Sequence, residues 1–273
     1  MIGVVHIHKT AGTTLASVFK RSFGARHCDV YSEDPSRPFS AEDLRRMRRR
    51  FYPRLHSVLG HDVRVYSDLE DAAGEVQWVT FLRDPVRRTA SHYQYDRVVG
   101  GVDLPLEEWL THHAVWDRQT RVIAGPDGTA EQAIALLPRF TLVGVTERFD
   151  ESLVMMKRFV GMRDIRYASK WVAPTDDIKR QLLADPEAVA AIEAVNRNDL
   201  ALYEHVVSEV FPKQVAEYGT ALDTDVAWFR RSNKGMTRAR MYGSPRYMAY
   251  VAKWRAEYRP WVERRRRAAL TTR

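Results

Sequence analysis

Apolar and polar residues alternate along the first two thirds of the chain in a way that divides it into short buried strands and amphipathic helices. MIGVV is an unbroken apolar run and predicts a buried strand over residues 2–7. Leu15, Val18 and Phe19 then recur at helical spacing and predict a helix over 13–23. After the loop SEDPSRPFS, Ser40 stands as an N-cap for AEDLRRMRRRF, whose acids come early and bases late, as the helix macrodipole favours. A short strand is expected near 63–66, and VQWVTFLR (76–83) and FTLVGVTER (140–148) read as two further buried strands. DPVRRTASHYQYDRVV begins a helix with Asp84 followed by Pro85 at its first position. DESLVMMKRFVG is another helix, with Asp150 as its expected cap and Gly161 as its stop. Several helices are expected between 105 and 138, and one long helix over 185–211. Strands alternating with helices predict an α/β fold, a single domain over residues 1–212 with a central parallel sheet flanked by helices. Ligands of such sheets bind at the carboxyl ends of the strands.

The pattern changes in the expected C-terminal extension, 213–273. Tyr247, Tyr250, Trp254, Tyr258 and Trp261 follow one another at steps of three or four, one stripe of a helix. That stripe predicts a helical extension docked on the domain, because five large aromatics in water would form a sizeable apolar patch. Pro260 is expected to kink or end this helix near Arg259. The net charge of +8 belongs to this region: residues 226–273 carry fourteen Lys and Arg against Glu257 and Glu263, a local net of +12. The remainder, with 29 basic and 33 acidic residues, carries −4. Such asymmetry suits a polyanion, a membrane surface or an acidic face of the same molecule.

Composition narrows the classes. With 273 residues, 45% of them hydrophobic, the chain can bury a real core. No run of eighteen apolar residues exists, so no membrane span is expected. No basic-then-apolar leader precedes the first strand, and a cytoplasmic location is the expectation. The lone Cys28 allows neither an intrachain disulfide nor a cysteine metal cluster.

Two segments carry chemistry. HIHKTAGTTL (6–15) is a strand-to-helix turn, which aims backbone N–H groups and a helix N-terminus at an anion. It is not a Walker A loop: Lys9 precedes Thr10, Ala11, Gly12, Thr13 and Thr14, and no GK[ST] follows. A P-loop small-molecule kinase is therefore the weaker reading, and a nucleic-acid- or membrane-binding protein using the basic tail is the alternative outside the enzymes. TFLRDPVRRTASHYQYD puts Arg83 at a strand end and Ser91 eight residues on, a guanidinium fork and a hydroxyl suited to phosphate.

Together these two segments resemble the sulfotransferases that use 3′-phosphoadenosine 5′-phosphosulfate (PAPS), most nearly the uronyl 2-O and heparan sulfate 6-O branch and its bacterial relatives. RQTRVIAG, LVGVTERFDESLVMMKR and NRNDLALYE resemble downstream segments of that branch, so the likeness spans roughly residues 2–207. The resemblance implies a sulfotransferase fold with a P-loop-like phosphosulfate loop. It implies Lys9, Thr10, Ala11, Gly12, Thr13 and Thr14 around the 5′-phosphosulfate, and Arg83 and Ser91 on the 3′-phosphate. It further implies PAPS as co-substrate, PAP as product, no metal, no nucleic-acid partner, and an acceptor hydroxyl on a carbohydrate. Lys9 would also stabilise charge growing on the leaving phosphate.

An attacking alcohol needs a base, and imidazole suits that task. Of nine histidines, His61 in GHDVRVYSDL resembles the branch's Gly-His segment and is the expected catalytic base. His8, beside Lys9, is the second choice. His6 is expected to point into the core and His92 to be structural; His112 and His113 are adjacent and do not face one site. NKG (233–235) is a further candidate for reaching the nucleotide.

Overall fold

The computed structural model describes residues 1–168 and 177–271. Five parallel strands form its sheet: β1 (Ile2–Val5), β2 (His27–Asp29), β3 (Ser57–Gly60), β4 (Gln77–Leu82) and β5 (Phe140–Val145), in the order β2-β3-β1-β4-β5. Val4 of the central strand pairs with Leu59 on one side and Val79 on the other. The chain leaves β1 toward β2 and β3, then returns past it to β4. Successive connections thus depart to opposite sides, and a crevice opens at the carboxyl end of β1. All four residues of β1 are buried, which is why its sequence is a continuous apolar run.

Two strands depart from the pattern reading. The short strand lies at Ser57–Gly60, not near 63–66. Val63 and Val65 are fully buried from a turn beyond the strand, and this produced the apolar alternation. The three-residue β2 was not expected; it is too short to show a period. It is held by side chains: His27 Nε2 lies 2.9 Å from Asp29 Oδ1, and Lys20 pairs with the same carboxylate.

The helices begin where their caps stand. Ser40 and Asp43 form a reciprocal capping box on Ala41–Arg50, and Asp84 accepts from Arg87 N at the head of Pro85–Val98. Asp150 is not a cap. Helix Phe149–Phe159 starts one residue before it, and its carboxylate takes Tyr167 Oη (3.0 Å) and Arg230 Nε (2.9 Å). The long helix expected over 185–211 is broken at buried Asn196, whose amide donates to Ile192 O and Thr89 Oγ1, leaving Pro186–Ala194 and Arg197–His205.

That break serves a reciprocal contact. Asp199 accepts from the N–H groups of Gln119 (3.0 Å) and Thr120 (2.7 Å) in helix Arg118–Ala124. Asp117, just before that helix, accepts from Asp199 N (3.0 Å) and Asn198 Nδ2 (2.9 Å). Each helix start is thus capped by the other's carboxylate. Arg88, wholly buried, faces Asp199 at 4.0 Å and donates to Val115 O and Thr89 Oγ1.

In the C-terminal region Pro260 does not end the helix. A π-helical turn at Trp254–Tyr258 precedes it, and helix Arg259–Thr271 runs on through it. A second π turn, Val206–Val210, stands in the same relation to Pro212 in helix Phe211–Tyr218. A widened turn makes room for the ring and the missing donor. Tyr247, Tyr250 and Tyr258 are buried against the body, and Trp254 Nε1 donates to Asp29 O (2.9 Å). Two arginines of the RRRR run are engaged as well: Arg265 pairs with Glu33, and Arg266 with Asp62 at 2.9 Å. Among the described residues no helix is long and apolar enough to cross a membrane.

Candidate active site

The turn after β1 is a tight loop at the mouth of the crevice. Lys9 (φ 69°) and Ala11 (φ 62°) both adopt the left-handed conformation, on either side of Thr10. Non-glycine residues hold that conformation at a cost of about 1–3 kcal/mol, so other contacts must enforce it. Two do: Thr10 Oγ1 donates to Ile7 O (3.0 Å), and Arg83 Nη1 donates to Lys9 O (3.1 Å). Helix Gly12–Phe23 starts immediately, and the N–H groups of Gly12 and Thr13 have no acceptor among the described residues. Alternating loop conformations with free N–H groups form an anion-binding concavity. Gly12 is required by space: a Cβ there would lie 1.6 Å from His6 Nε2. Thr13 is exposed and Thr14 half-buried, while the Thr10 hydroxyl is turned into the loop as a brace.

Beside this loop stands a column of imidazoles. The His61 ring lies between those of His6 (4.0 Å, 24°) and His8 (3.7 Å, 4°), and His92 follows beyond His8 at 6.2 Å. His61 Nδ1 lies 2.9 Å from the His6 carbonyl oxygen. A carbonyl only accepts, so Nδ1 carries the proton and Nε2 keeps its lone pair. Burial holds His61 below the ordinary histidine range, with Arg118 adding to the effect against the His6 hydrogen bond. Burial and His61 take His8 down to about 2, and burial takes His6 to about 3 and His92 to about 4. The column is neutral at physiological pH. Instead of pointing singly into the core or standing as an isolated structural residue, His6 and His92 belong to it. His6 and His8 are two apart at a strand end, hence on one side, and that spacing is the signal the sequence offered.

Cations converge from the loop itself and from two other elements. Lys9 Nζ sits 4.2 Å from the centroid of the Tyr95 ring. Burial brings Lys9 down to about 8, with the nearby charges of Arg83 and Lys179 acting the same way and Asp96 opposing. Arg83 is fixed at the end of β4 by a two-point clasp with Gln119: its N–H meets Oε1 (2.9 Å) and its carbonyl meets Nε2 (2.8 Å). Ser91 is half-buried on Pro85–Val98, the helix that also carries His92 and Tyr95. Arg118 heads helix Arg118–Ala124, and its charge depresses both His8 and His61. It was not among the expected site residues, although RQTR was a marked segment. NKG lies elsewhere: Gly235 and Met236 adjoin Arg21, near the far end of helix Gly12–Phe23 from the loop.

The arrangement thus offers an anion cradle, a half-buried ammonium, a guanidinium braced against the loop and a neutral imidazole whose Nε2 keeps its lone pair. The model of the galactose-3-O-sulfotransferase family matches residues 125–271. Among solved structures, a sulfotransferase from Alicyclobacillus acidocaldarius is similar at 17% identity over 74% of this chain and 98% of that one, with a TM-score of 0.36. No curated protein matches. The matched residues include the C-terminal helices, which the resemblance read from the motifs did not reach. They exclude the Lys9 loop, His61, Arg83 and Ser91. Because the match spans more than half of its residues, the chain belongs to the galactose-3-O-sulfotransferase family.

Proposed function

We propose that this sulfotransferase moves the sulfuryl group of PAPS to a carbohydrate hydroxyl, with His61 as the base and Lys9 on the leaving phosphate. The observation that carries the reading is the His61 Nδ1 hydrogen bond to the His6 carbonyl, which leaves Nε2 as an acceptor beside the lysine loop. The residues present fit the nucleotide. The free N–H groups of Gly12 and Thr13 and the ammonium of Lys9 suit its 5′ end, and Arg83 and Ser91 suit its 3′-phosphate. When bound, PAPS supplies an activated sulfuryl group and a phosphate leaving group.

The chain's own residues do the rest. His61 Nε2 takes the proton of the acceptor hydroxyl as it attacks, and the His6 carbonyl stabilises the resulting imidazolium through Nδ1–H. Lys9, held over Tyr95, offers its charge where negative charge develops. Arg83 fixes the loop through the Lys9 carbonyl, so one side chain both orients the cradle and faces the nucleotide. The family's name puts galactose first among acceptors, and the resemblance to the uronyl 2-O branch adds hexuronate-bearing chains. The test is transfer of labelled sulfate from PAPS to galacto-oligosaccharides and uronate-bearing glycans, with PAP binding measured in parallel without magnesium. Transfer by the wild type and none by His61→Ala, at equal PAP affinity, is the expected result. Failure of PAP to bind, or ATP-magnesium binding in its place, overturns it.

A further inference from the structure

We propose that a cavity of about 670 Å³ at the sheet's β5 edge is a second binding site for an acidic saccharide, remote from the transfer site. The proposal rests on the carbohydrate reading above and extends it to a distant part of the same acceptor chain. The cavity lies between helix Phe149–Phe159, the segment 163–166 and helix Leu222–Asn233. Helix Phe149–Phe159 leaves the carboxyl edge of the sheet after β5 and runs back. Lys157, eight residues along it, is therefore roughly 12 Å from that edge at 1.5 Å per residue. On the other flank Asp164 pairs with Arg21 at 2.9 Å, near the end of the helix whose start forms the anion loop. The cavity thus lies away from Lys9 and His61, and no residue of that site is among its lining.

Its lining combines an aromatic plate with surplus positive charge. Trp228 is 58% exposed, and the Lys157 ammonium stands 5.7 Å from its ring centroid. Arg163 is exposed at the rim, and among the described residues neither Lys157 nor Arg163 has a carboxylate partner. The two acids of the lining are engaged: Asp164 by Arg21 and Arg166, and Asp225 by the Tyr218 hydroxyl at 2.6 Å. An adjoining cavity of about 330 Å³ shares Arg166 and Ser232 and continues the basic lining through Arg21 and Arg240. A bare phosphate has no use for the indole, and a neutral apolar ligand has none for the cations. A pyranose bearing sulfate or carboxylate uses both: its C–H face covers the indole, and its anion meets Lys157 and Arg163. The pair of cavities gives room for more than one sugar unit.

The test is calorimetric titration of the full chain, without PAPS, with a sulfated galactose tetrasaccharide and its desulfated counterpart. The sulfated form should bind, with the desulfated form at least tenfold weaker. Trp228→Ala and Arg163→Glu should each weaken the sulfated ligand at least tenfold, while Lys9→Ala leaves its affinity unchanged. Both positions are exposed, and thermal melts of the variants should match the wild type. Transfer to a short monosaccharide acceptor should be unaffected in both. Unchanged affinity in Trp228→Ala, equal binding of the two tetrasaccharides, or loss of binding in Lys9→Ala overturns the second site. So does failure of the wild type to bind either tetrasaccharide. Turnover of the short acceptor reports separately on the transfer reading, which stands or falls without this cavity.

Discussion

The imidazoles of His8 and His61 stack face to face, 3.7 Å apart and within 4° of parallel. The stack shields one face of His61 from water, while its Nδ1 hydrogen bond to the His6 carbonyl fixes which nitrogen is basic. Burial lowers its protonation, so His61, the proposed base, stays neutral into mildly acidic solution. The rate should therefore rise with pH through a limb lying below the ordinary histidine value of about 6.5 and be flat by neutrality. A pH profile of kcat/KM for the free enzyme tests this. His61→Ala should remove the limb and lower turnover on the order of 10²–10⁴-fold. His8→Ala should keep activity and move the limb upward, since it opens His61 to water. An inactive His8→Ala beside an active His61→Ala would reverse the assignment.

Lys9→Ala should retain the fold and lose turnover on the order of 10²–10³-fold, because in the proposed reaction its ammonium meets the charge that gathers on the leaving phosphate. Its value of about 8 before ligand should rise when an anion occupies the loop, so PAP binding should take up protons above pH 8. Calorimetry in buffers of different ionisation enthalpy measures that uptake, and Lys9→Ala should abolish it.

Arg83→Ala should weaken PAP by roughly 1.5–3 kcal/mol, the usual loss for a charge-assisted contact. The loss should exceed that for adenosine 5′-phosphosulfate, which has no 3′-phosphate. A smaller loss for the latter is still expected, since Arg83 also donates to the Lys9 carbonyl. Equal losses would confine Arg83 to bracing the loop.

Strands β1, β4 and β5 were legible because they are largely buried and read as apolar runs, whereas the short β2 and β3 were missed or misplaced. Ser40 and Asp84 announced their helices because a cap is local chemistry. What escaped was set by tertiary contact. Asn196 breaks a helix that propensity would continue, because its amide is held by Ile192 and Thr89. Pro260 was read as a kink or an end because the π turn ahead of it leaves no mark in the sequence. The histidine column escaped in the same way. His6 and His8 are local, but His61 and His92 join them only through the order of the strands.

Asp199→Ala should be among the most destabilising single changes. It removes the cap of helix Arg118–Ala124 and takes from the wholly buried Arg88 the carboxylate it faces at 4.0 Å. Burial already lowers Arg88 to about 10 with Asp199 present. Breaking a buried pair by removing one partner costs about 3–5 kcal/mol. Denaturant unfolding should show that loss, whereas Asp199→Asn, which keeps an acceptor for the N–H groups, should lose less. A wild-type midpoint for Asp199→Ala would show that Arg88 does not depend on it.

Gly12→Ala tests whether the glycine is needed for conformation or for room. Its φ is one that any residue adopts, so Ala would bring no backbone strain of its own. Its Cβ would, however, fall 1.6 Å from His6 Nε2, and that ring is stacked on His61. The ring must move or the loop must, and overpacking of this kind costs about 1–3 kcal/mol or more. The single variant should lose PAP affinity and turnover together, with a lower melting temperature. His6→Ala added to it removes the obstacle. The hydrogen bond that fixes His61 survives that second change, because its acceptor is the backbone carbonyl of residue 6. The double variant should therefore regain its melting temperature and PAP affinity and recover part of its turnover. A double variant as impaired as Gly12→Ala alone would mean that the loop itself rejects the added methyl, whatever the ring does.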